Sequence, residues 1–360
     1  MTRARPTSLT TLAAGLLALS ALAGCSLGGP GTEEASGSDG AAPTKVVLVT
    51  HDSFSLPKAL IAQFEKDTGY DLQVRSSGDA GTLTSQLVLN ADDPVADVAY
   101  GVDNTFGSRA LQAQVFTPVD VTEPAGAAAY DLPGDDAHAL RPVDQGNVCV
   151  NVDDTWFAAK GLTPPRTFDD LLDPRYRGLL VTPGATTSSP GLAFLLATIA
   201  RYGEDGWQDY WRRLLANGTK VVSGWSDAYE VDFTQGGGKG RRPIVVSYDS
   251  SPAFTVDGKG GTTTSALLDT CFQQVEYVGA LRGAANEAGA KAVVAWLQSP
   301  EVQAALPESM YVFPVAEGTA LPKDWARFAK QPASPASVAP ERIAEQRDTW
   351  LRQWSDLVGS

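Results

Sequence analysis

The sequence predicts an α/β fold on a doubly wound parallel sheet, and three features carry that expectation. From Lys45 to Gly101, apolar runs of strand length alternate with helical patterns, strand–helix–strand–helix–strand. Each of these strands breaks into residues suited to a ligand: His51-Asp52-Ser53-Phe54, then Asp79, then Val102-Asp103-Asn104. Open α/β sheets bind ligands at such strand ends. The chain has 360 residues, 43% hydrophobic and 19% charged, a globular composition long enough for two domains.

In order, Lys45–Thr50 (K-V-V-L-V-T) is a buried strand. Pro57–Gly69 is a helix, with Leu60, Ile61 and Phe64 on one face and Gly69 as its stop. Asp71–Arg75 is the second strand, Thr82–Asn90 a helix and Ala96–Gly101 the third strand. Asp120–Val143 is Ala/Gly/Pro-rich and irregular, and Gly146–Val152 alternates as a strand crossing to a second lobe. Thr167 caps a helix running to Leu172, and Gly178–Thr182 is a strand. Helices follow at Pro190–Tyr202 and Gly206–Asn217. Cys271–Gly279 is a strand leading back, Asn286–Leu297 a helix, and Pro340–Leu357 an amphipathic terminal helix. The glycine runs Gly236–Gly238 and Gly258–Gly261 read as loop tips, since neither opens a helix with phosphate-loop spacing.

The N-terminus carries an export pattern. Arg3 and Arg5 precede the apolar run Leu9–Leu22, too short to span a bilayer, and Leu22-Ala23-Gly24-Cys25 closes it. That ending resembles the bacterial lipobox, in which cleavage precedes a cysteine that receives a diacylglycerol. Residues 1–24 are then a signal peptide, Cys25 the lipid anchor on the cell membrane, and 25–43 a Gly/Ser-rich flexible tether. Of three cysteines, Cys149 and Cys271 remain, an even pair in an oxidising compartment, and a disulfide is expected. The net charge of −14 argues against a nucleic-acid partner, which needs a basic face.

Two stretches suggest a binding site. In Val221–Phe254, two apolar runs give way to polar segments bearing Trp225 and Tyr229, then Tyr248 and Phe254, with Asp227 and Asp249 among them. Aromatic faces beside carboxylates suit a flat organic cation. Thr186-Thr187-Ser188-Ser189-Pro190-Gly191 opens a helix, with Ser189 as N-cap and Pro190 at the first helical position. An ordinary cap needs one hydroxyl; four in a row at a helix N-terminus suit a phosphate or a hydroxyl-bearing tail. A hydrolase built on His51 and Ser53 is the weaker alternative, since G-x-S-x-G does not occur. No Cys/His cluster or calcium loop suggests a metal.

The segments His51-Asp52-Ser53-Phe54, Gly101-Val102-Asp103-Asn104, Thr187-Ser188-Ser189-Pro190-Gly191-Leu192, Gly224-Trp225-Ser226-Asp227-Ala228-Tyr229, Ser247–Phe254 and Phe313-Pro314-Val315 stand in an order and spacing that resembles the periplasmic thiamine-binding proteins of bacterial ABC importers. The likeness runs from about Val46 to Trp354. It implies a two-lobed solute-binding fold with a ligand cleft between lobes, lobe 1 over 44–145 plus 272–310 and lobe 2 over 146–271 plus 311–360. It implies a monomer that captures thiamine, thiamine phosphate or thiamine diphosphate for a membrane permease; another small cation or phosphorylated metabolite is the alternative. No cofactor and no catalysis are implied. Matched by position, Asp79 is an acid near the ligand, Ser188 and Ser189 face its phosphate end, and Trp225 and Tyr248 line the cation site. His51, Phe254 and Tyr311 stand where the family pattern has Tyr, Tyr and Trp. With Asp103, Thr187, Asp227 and Tyr229, these complete the expected ligand-binding set.

Overall fold

The computed structural model describes residues 44–359. The expected signal peptide, lipidated Cys25 and tether lie outside the described residues. Ten strands form one mixed sheet: β1 Thr44–Thr50, β2 Tyr70–Ser76, β3 Val98–Asp103, β4 Phe116–Thr117, β5 Arg141–Asp153, β6 Leu180–Pro183, β7 Lys220–Val222, β8 Ile244–Tyr248, β9 Thr264–Leu281 and β10 Phe313–Pro314. Their order is β2-β1-β3-β9-β5-β8-β6-β7, with β4 on β9 and β10 on β5.

The sheet is parallel only in its two wings, β2-β1-β3 and β8-β6-β7. The strands of Lys45–Gly101 are thus parallel as expected, whereas the centre, β3-β9-β5-β8, is antiparallel. The reason is chain traffic: β5 leads from one wing to the other and the 18-residue β9 leads back, so they run side by side in opposite directions. Read from sequence, these were the short segments Gly146–Val152 and Cys271–Gly279. Both extend well beyond those bounds, and β5 begins within the stretch expected to be irregular.

Helices cover both faces: α1 Lys58–Thr68, α2 Ala80–Leu89, α3 Gly107–Gln112, α4 Asp154–Lys160, α5 Ser189–Ala216, α6 Ser251–Phe254, α7 Glu287–Leu297, α8 Pro300–Met310, α9 Lys323–Phe328 and α10 Pro340–Gly359. Cover on both faces is why β1 is apolar from Val46 to Val49. Val46 and Leu48 pack with Val293 and Leu297 of α7, while Val47 and Val49 pack with Leu83 and Leu87 of α2. A separate core lies in the other wing, where Phe194, Trp207 and Trp211 of α5 meet Trp350 and Trp354 of α10 beneath Val148, Val150 and Val246. The two helices expected on either side of Gly203 are present: α5 is interrupted at that glycine by non-helical backbone (φ 73°, ψ 173°). Thr167 does cap, its Oγ1 accepting from Asp170 N at 3.2 Å, but only a 3-10 turn Asp170–Leu172 follows before Pro174 halts it.

Cys149 on β5 and Cys271 on β9 are disulfide-bonded, as expected, at the irregularity between Val148 and Val150 where the two strands shift register. Both are buried.

Candidate functional site

A cavity of about 360 Å³ opens where the C-terminal ends of the parallel strands in both wings face each other across β5 and β9. Its floor is charged. His51 follows the last residue of β1, and its ring lies against Gly101, where β3 bulges between Tyr100 and Val102. Gly101 has φ 101°, and a Cβ there would sit 2.2 Å from the imidazole Cδ2, so only glycine admits the ring. His51 Nε2 faces Glu276 of β9 at 3.3 Å, and Ser53 Oγ lies 3.0 Å from Nδ1. Below them the Tyr100 hydroxyl lies 2.5 Å from Asp144 Oδ2 and 3.0 Å from Glu276 Oε2.

The charge states of this cluster follow from burial and proximity. Burial opposes the imidazolium, but the Glu276 carboxylate outweighs it, with Asp79 and Asp52 contributing, and the His51 pKa is raised. Burial and the adjacent Glu276 push Asp144 well above the usual carboxylate range. Burial works the same way on Glu276, yet His51 and the hydrogen bonds from Asp144 and Tyr100 bring its pKa below normal. The floor is thus a coupled cluster in which the proximity of His51 and Asp144 favours the ionised form of Glu276 and disfavours that of Asp144.

The opposite wall is aromatic. Trp225 stacks on Tyr229 with ring centroids 5.0 Å apart and planes 10° apart, and its Nε1 donates to Ser247 Oγ at 2.9 Å. Tyr248 tilts against Trp225 at 6.4 Å and donates to Gln274 Oε1 at 3.2 Å. Phe254 packs edge-on to Tyr311 at 4.7 Å. Tyr311 ends α8 in the left-handed region (φ 57°), and its carbonyl accepts from Ser250 Oγ. Strand ends do deliver these rings: β7 stops at Val222 and β8 at Tyr248, and each runs into a helical segment carrying the aromatics.

Between floor and wall lies a seam joining the wings. Asp79 caps α2, its Oδ1 accepting from Ala80 N at 2.6 Å, and its Oδ2 reaches across to accept Trp225 N at 2.8 Å. Thr82 N donates to Thr187 O at 3.1 Å, so the first turns of α2 and α5 abut. Ser188, not Ser189, is the N-cap of α5; its Oγ accepts from Gly191 N and also hydrogen-bonds the Asp79 carboxylate.

Of the expected ligand-binding residues, His51, Asp79, Ser189, Trp225, Tyr229, Tyr248, Phe254 and Tyr311 line this one cavity. Asp103, Thr187, Ser188 and Asp227 do not, and each has a local reason. Asp103 is fully buried and turns back to accept from Thr105 N and Phe106 N, with burial raising its pKa to about 7. Thr187 Oγ1 donates to Ser223 O at 2.6 Å, and Ser188 is spent on its cap. Asp227 pairs with the Ser223 hydroxyl at the start of a π-helix, Asp227–Asp232, whose wide turn presents Glu230 to the cavity instead. Asp249 is likewise buried and bound to Asn147, with burial raising its pKa to about 6. Sequence reasoning missed Glu276, Asp144, Gln274 and Met310. A signal existed for the first: a carboxylate inside the apolar run Val275-Glu276-Tyr277-Val278 needs a buried partner. Elsewhere among the described residues, Glu123, Asp131 and His138 bring potential metal-ligand atoms within 4.8 Å of one another, but Arg141 already pairs with Glu123 at 2.7 Å.

With this geometry in place, comparison with known proteins is informative. Residues 93–332 match the family described as bacterial extracellular solute-binding protein. A thiamine-binding periplasmic protein of Salmonella typhimurium is 27% identical over 319 residues, covering 87% of this chain and 93% of its own. A solved periplasmic thiamin binding protein superposes with a TM-score of 0.76 at 26% identity, covering 87% of this chain and 96% of that one. A ferric binding protein from Campylobacter jejuni shares the fold at a TM-score of 0.67 and 18% identity, over 87% of this chain and 99% of its own.

Proposed function

The chain belongs to the bacterial extracellular solute-binding proteins, and from that membership we propose that it is the extracytoplasmic substrate-binding component of an ABC importer, with thiamine or one of its phosphate esters as ligand. The observation that carries the choice of ligand is the pairing of an aromatic wall, Trp225, Tyr229 and Tyr248, with the carboxyl groups of Asp52, Asp79, Glu230 and Glu276 in one cavity. Thiamine is a pair of linked aromatic rings, one bearing a fixed positive charge. Such a cation gains from ring faces and from a desolvated carboxylate together, at any physiological pH. The volume suits a ligand of this class.

His51, Asp79, Ser189, Trp225, Tyr229, Tyr248, Phe254 and Tyr311 are proposed to form the site, joined by Glu276. The lobes divide at 145/146 and 271/272, so that β5 and β9 form the hinge and closure brings Trp225 to Asp79. The protein acts as a monomer beside its permease. It is held at the membrane by a lipid on Cys25 after removal of residues 1–24; no helix among the described residues is long and apolar enough to cross a membrane.

Thermal-shift screening tests the reading, because a ligand that binds only the folded protein raises its apparent stability. Thiamine should raise the melting temperature in a concentration-dependent way, and calorimetry should give one site per chain. No shift with thiamine, alongside a shift with an unrelated solute, would overturn the proposal.

A further inference from the structure

We propose that Glu276 is the counter-ion of the bound cation, and that Asp144 and Tyr100, behind it and outside the cavity, position it and share with it a proton that the ligand displaces. The inference rests on the thiamine reading and deepens it. Asp144 and Glu276 are paired residues of the adjacent strands β5 and β9; both are buried, and of the two only Glu276 lines the cavity. The fully buried Tyr100 of β3 places its hydroxyl 2.5 Å from Asp144 Oδ2 and 3.0 Å from Glu276 Oε2. That hydroxyl carries one proton and can donate it to only one of the carboxyls.

Other buried aspartates are better supplied. Asp97 accepts from Val47 N and from Asn286 N, each at 2.8 Å, and Asp249 accepts from both the backbone N and the Nδ2 of Asn147. Asp144 shares the Tyr100 hydroxyl with Glu276, and its Oδ1 is buried with no partner. Among the described residues, the one ion pair that either carboxyl makes is that of Glu276 with His51, at 3.3 Å. One hydroxyl and one imidazole are too few donors for two buried carboxylates. A shared proton supplies the missing donor and removes the like-charge contact. Burial and the facing Glu276 raise the Asp144 pKa, which is the direction this arrangement requires.

The titratable groups around the His51–Glu276 pair add no other cation. They are Asp52 after β1, Asp79 at the cap of α2, Tyr100 and Asp103 of β3, Asp144 of β5 and Tyr248 of β8. Glu230 of the π-helix shares the cavity wall, and α8 brings only the sulfur of Met310 to the Tyr100 hydroxyl. A cation in the cavity supplies the positive charge that Glu276 lacks. The carboxyl pair then holds its proton less tightly and releases it to solvent. By linkage, thiamine affinity rises with pH, by up to about tenfold per unit where one full proton is exchanged.

Calorimetric titration of the mature, disulfide-intact protein with thiamine, in buffers of different ionisation enthalpy, counts the protons released. The range is about pH 6.5 to about pH 8.5, above the mild acid in which thiamine's own aminopyrimidine titrates. The wild type should release about half a proton or more per thiamine within that range, and its affinity should rise about threefold or more across it. Asp144→Asn keeps an acceptor for the Tyr100 hydroxyl and gives Glu276 a permanent donor. It should bind thiamine with no proton release and a flat pH profile, and more weakly than wild type at the alkaline end. Glu276→Gln should weaken thiamine about tenfold or more at every pH. Wild-type binding with no proton release and no pH dependence would overturn the inference while leaving the thiamine reading standing. No binding of thiamine at any pH would overturn both. Proton release that survives Asp144→Asn would overturn the shared proton, and its loss in His51→Gln would then give the imidazole as the source. Melting temperatures show whether each variant is folded, and the wild-type proton count decides the exchange even where a variant fails to fold.

Discussion

Removing the Cys149–Cys271 disulfide should lower stability by an amount that the chain connectivity itself sets. The bond closes a loop of 122 residues between neighbouring antiparallel strands. In the chain-entropy account, opening a loop of that length returns about 16 cal/mol/K to the unfolded chain, or about 5 kcal/mol at 25 °C. Residual structure in the unfolded state reduces this, so a loss of about 2–5 kcal/mol is expected for Cys149→Ala with Cys271→Ala. Both sulfurs are buried away from the cavity, so thiamine affinity should be retained. Urea denaturation of the oxidised wild type and the double variant is the assay. The midpoint should fall and the m-value should rise, because an uncrosslinked chain exposes more surface on unfolding. Coincident unfolding curves, or two free thiols titrated in the denatured, unreduced wild type, would refute the reasoning.

Four further outcomes can be checked. Trp225→Ala should cost about 0.5–2 kcal/mol of thiamine binding, since the indole face is lost while the backbone N–H to Asp79 remains; unchanged affinity by calorimetry would remove Trp225 from the cation site. Gly101→Ala should destabilise the fold by about 1–3 kcal/mol and weaken binding by displacing His51, because φ 101° disfavours any Cβ and this one meets the imidazole; wild-type urea midpoint and affinity would contradict it. Burial raises the Asp103 pKa to about 7, so the folded state holds that proton more tightly than the unfolded chain does. Its contribution to stability is then greatest in acid and is lost as pH rises from about 4 toward neutrality. Asp103→Asn should therefore gain stability relative to wild type at pH 8 compared with pH 4.5, and parallel pH profiles would show that Asp103 is not the group responsible. Cys25→Ala should release the protein from the membrane fraction or leave an uncleaved precursor; unchanged lipid labelling and fractionation would rule out the anchor.

Much of the fold and part of the site were legible in the residues alone. Local punctuation placed α1 and its stop, where Gly69 takes the left-handed cap with φ 73° and bonds back to Glu65. Apolar runs marked β1, β3 and β8, and the aromatics stranded beyond those runs marked the wall that Trp225, Tyr229 and Tyr248 build. These are features of near neighbours, and near neighbours are what periodicity and turn chemistry report. Counting cysteines left one pair, and the two sulfurs are joined.

What the tertiary structure decided are the contacts between distant segments. Glu276 and Asp144 are 132 positions apart in the chain, yet β9 and β5 set them directly opposite each other, and that register is what pushes the Asp144 pKa up while Glu276 is drawn down. Asp79 looks like a simple cap of α2 until Trp225 arrives from the other wing to share it. Asp227 and Glu230 are both acids of one short segment, and the turn of a π-helix chooses which faces the ligand. Sequence determined which groups were available; which of them are charged, buried or free to meet a ligand depends on the dielectric and the partners that folding brings to each.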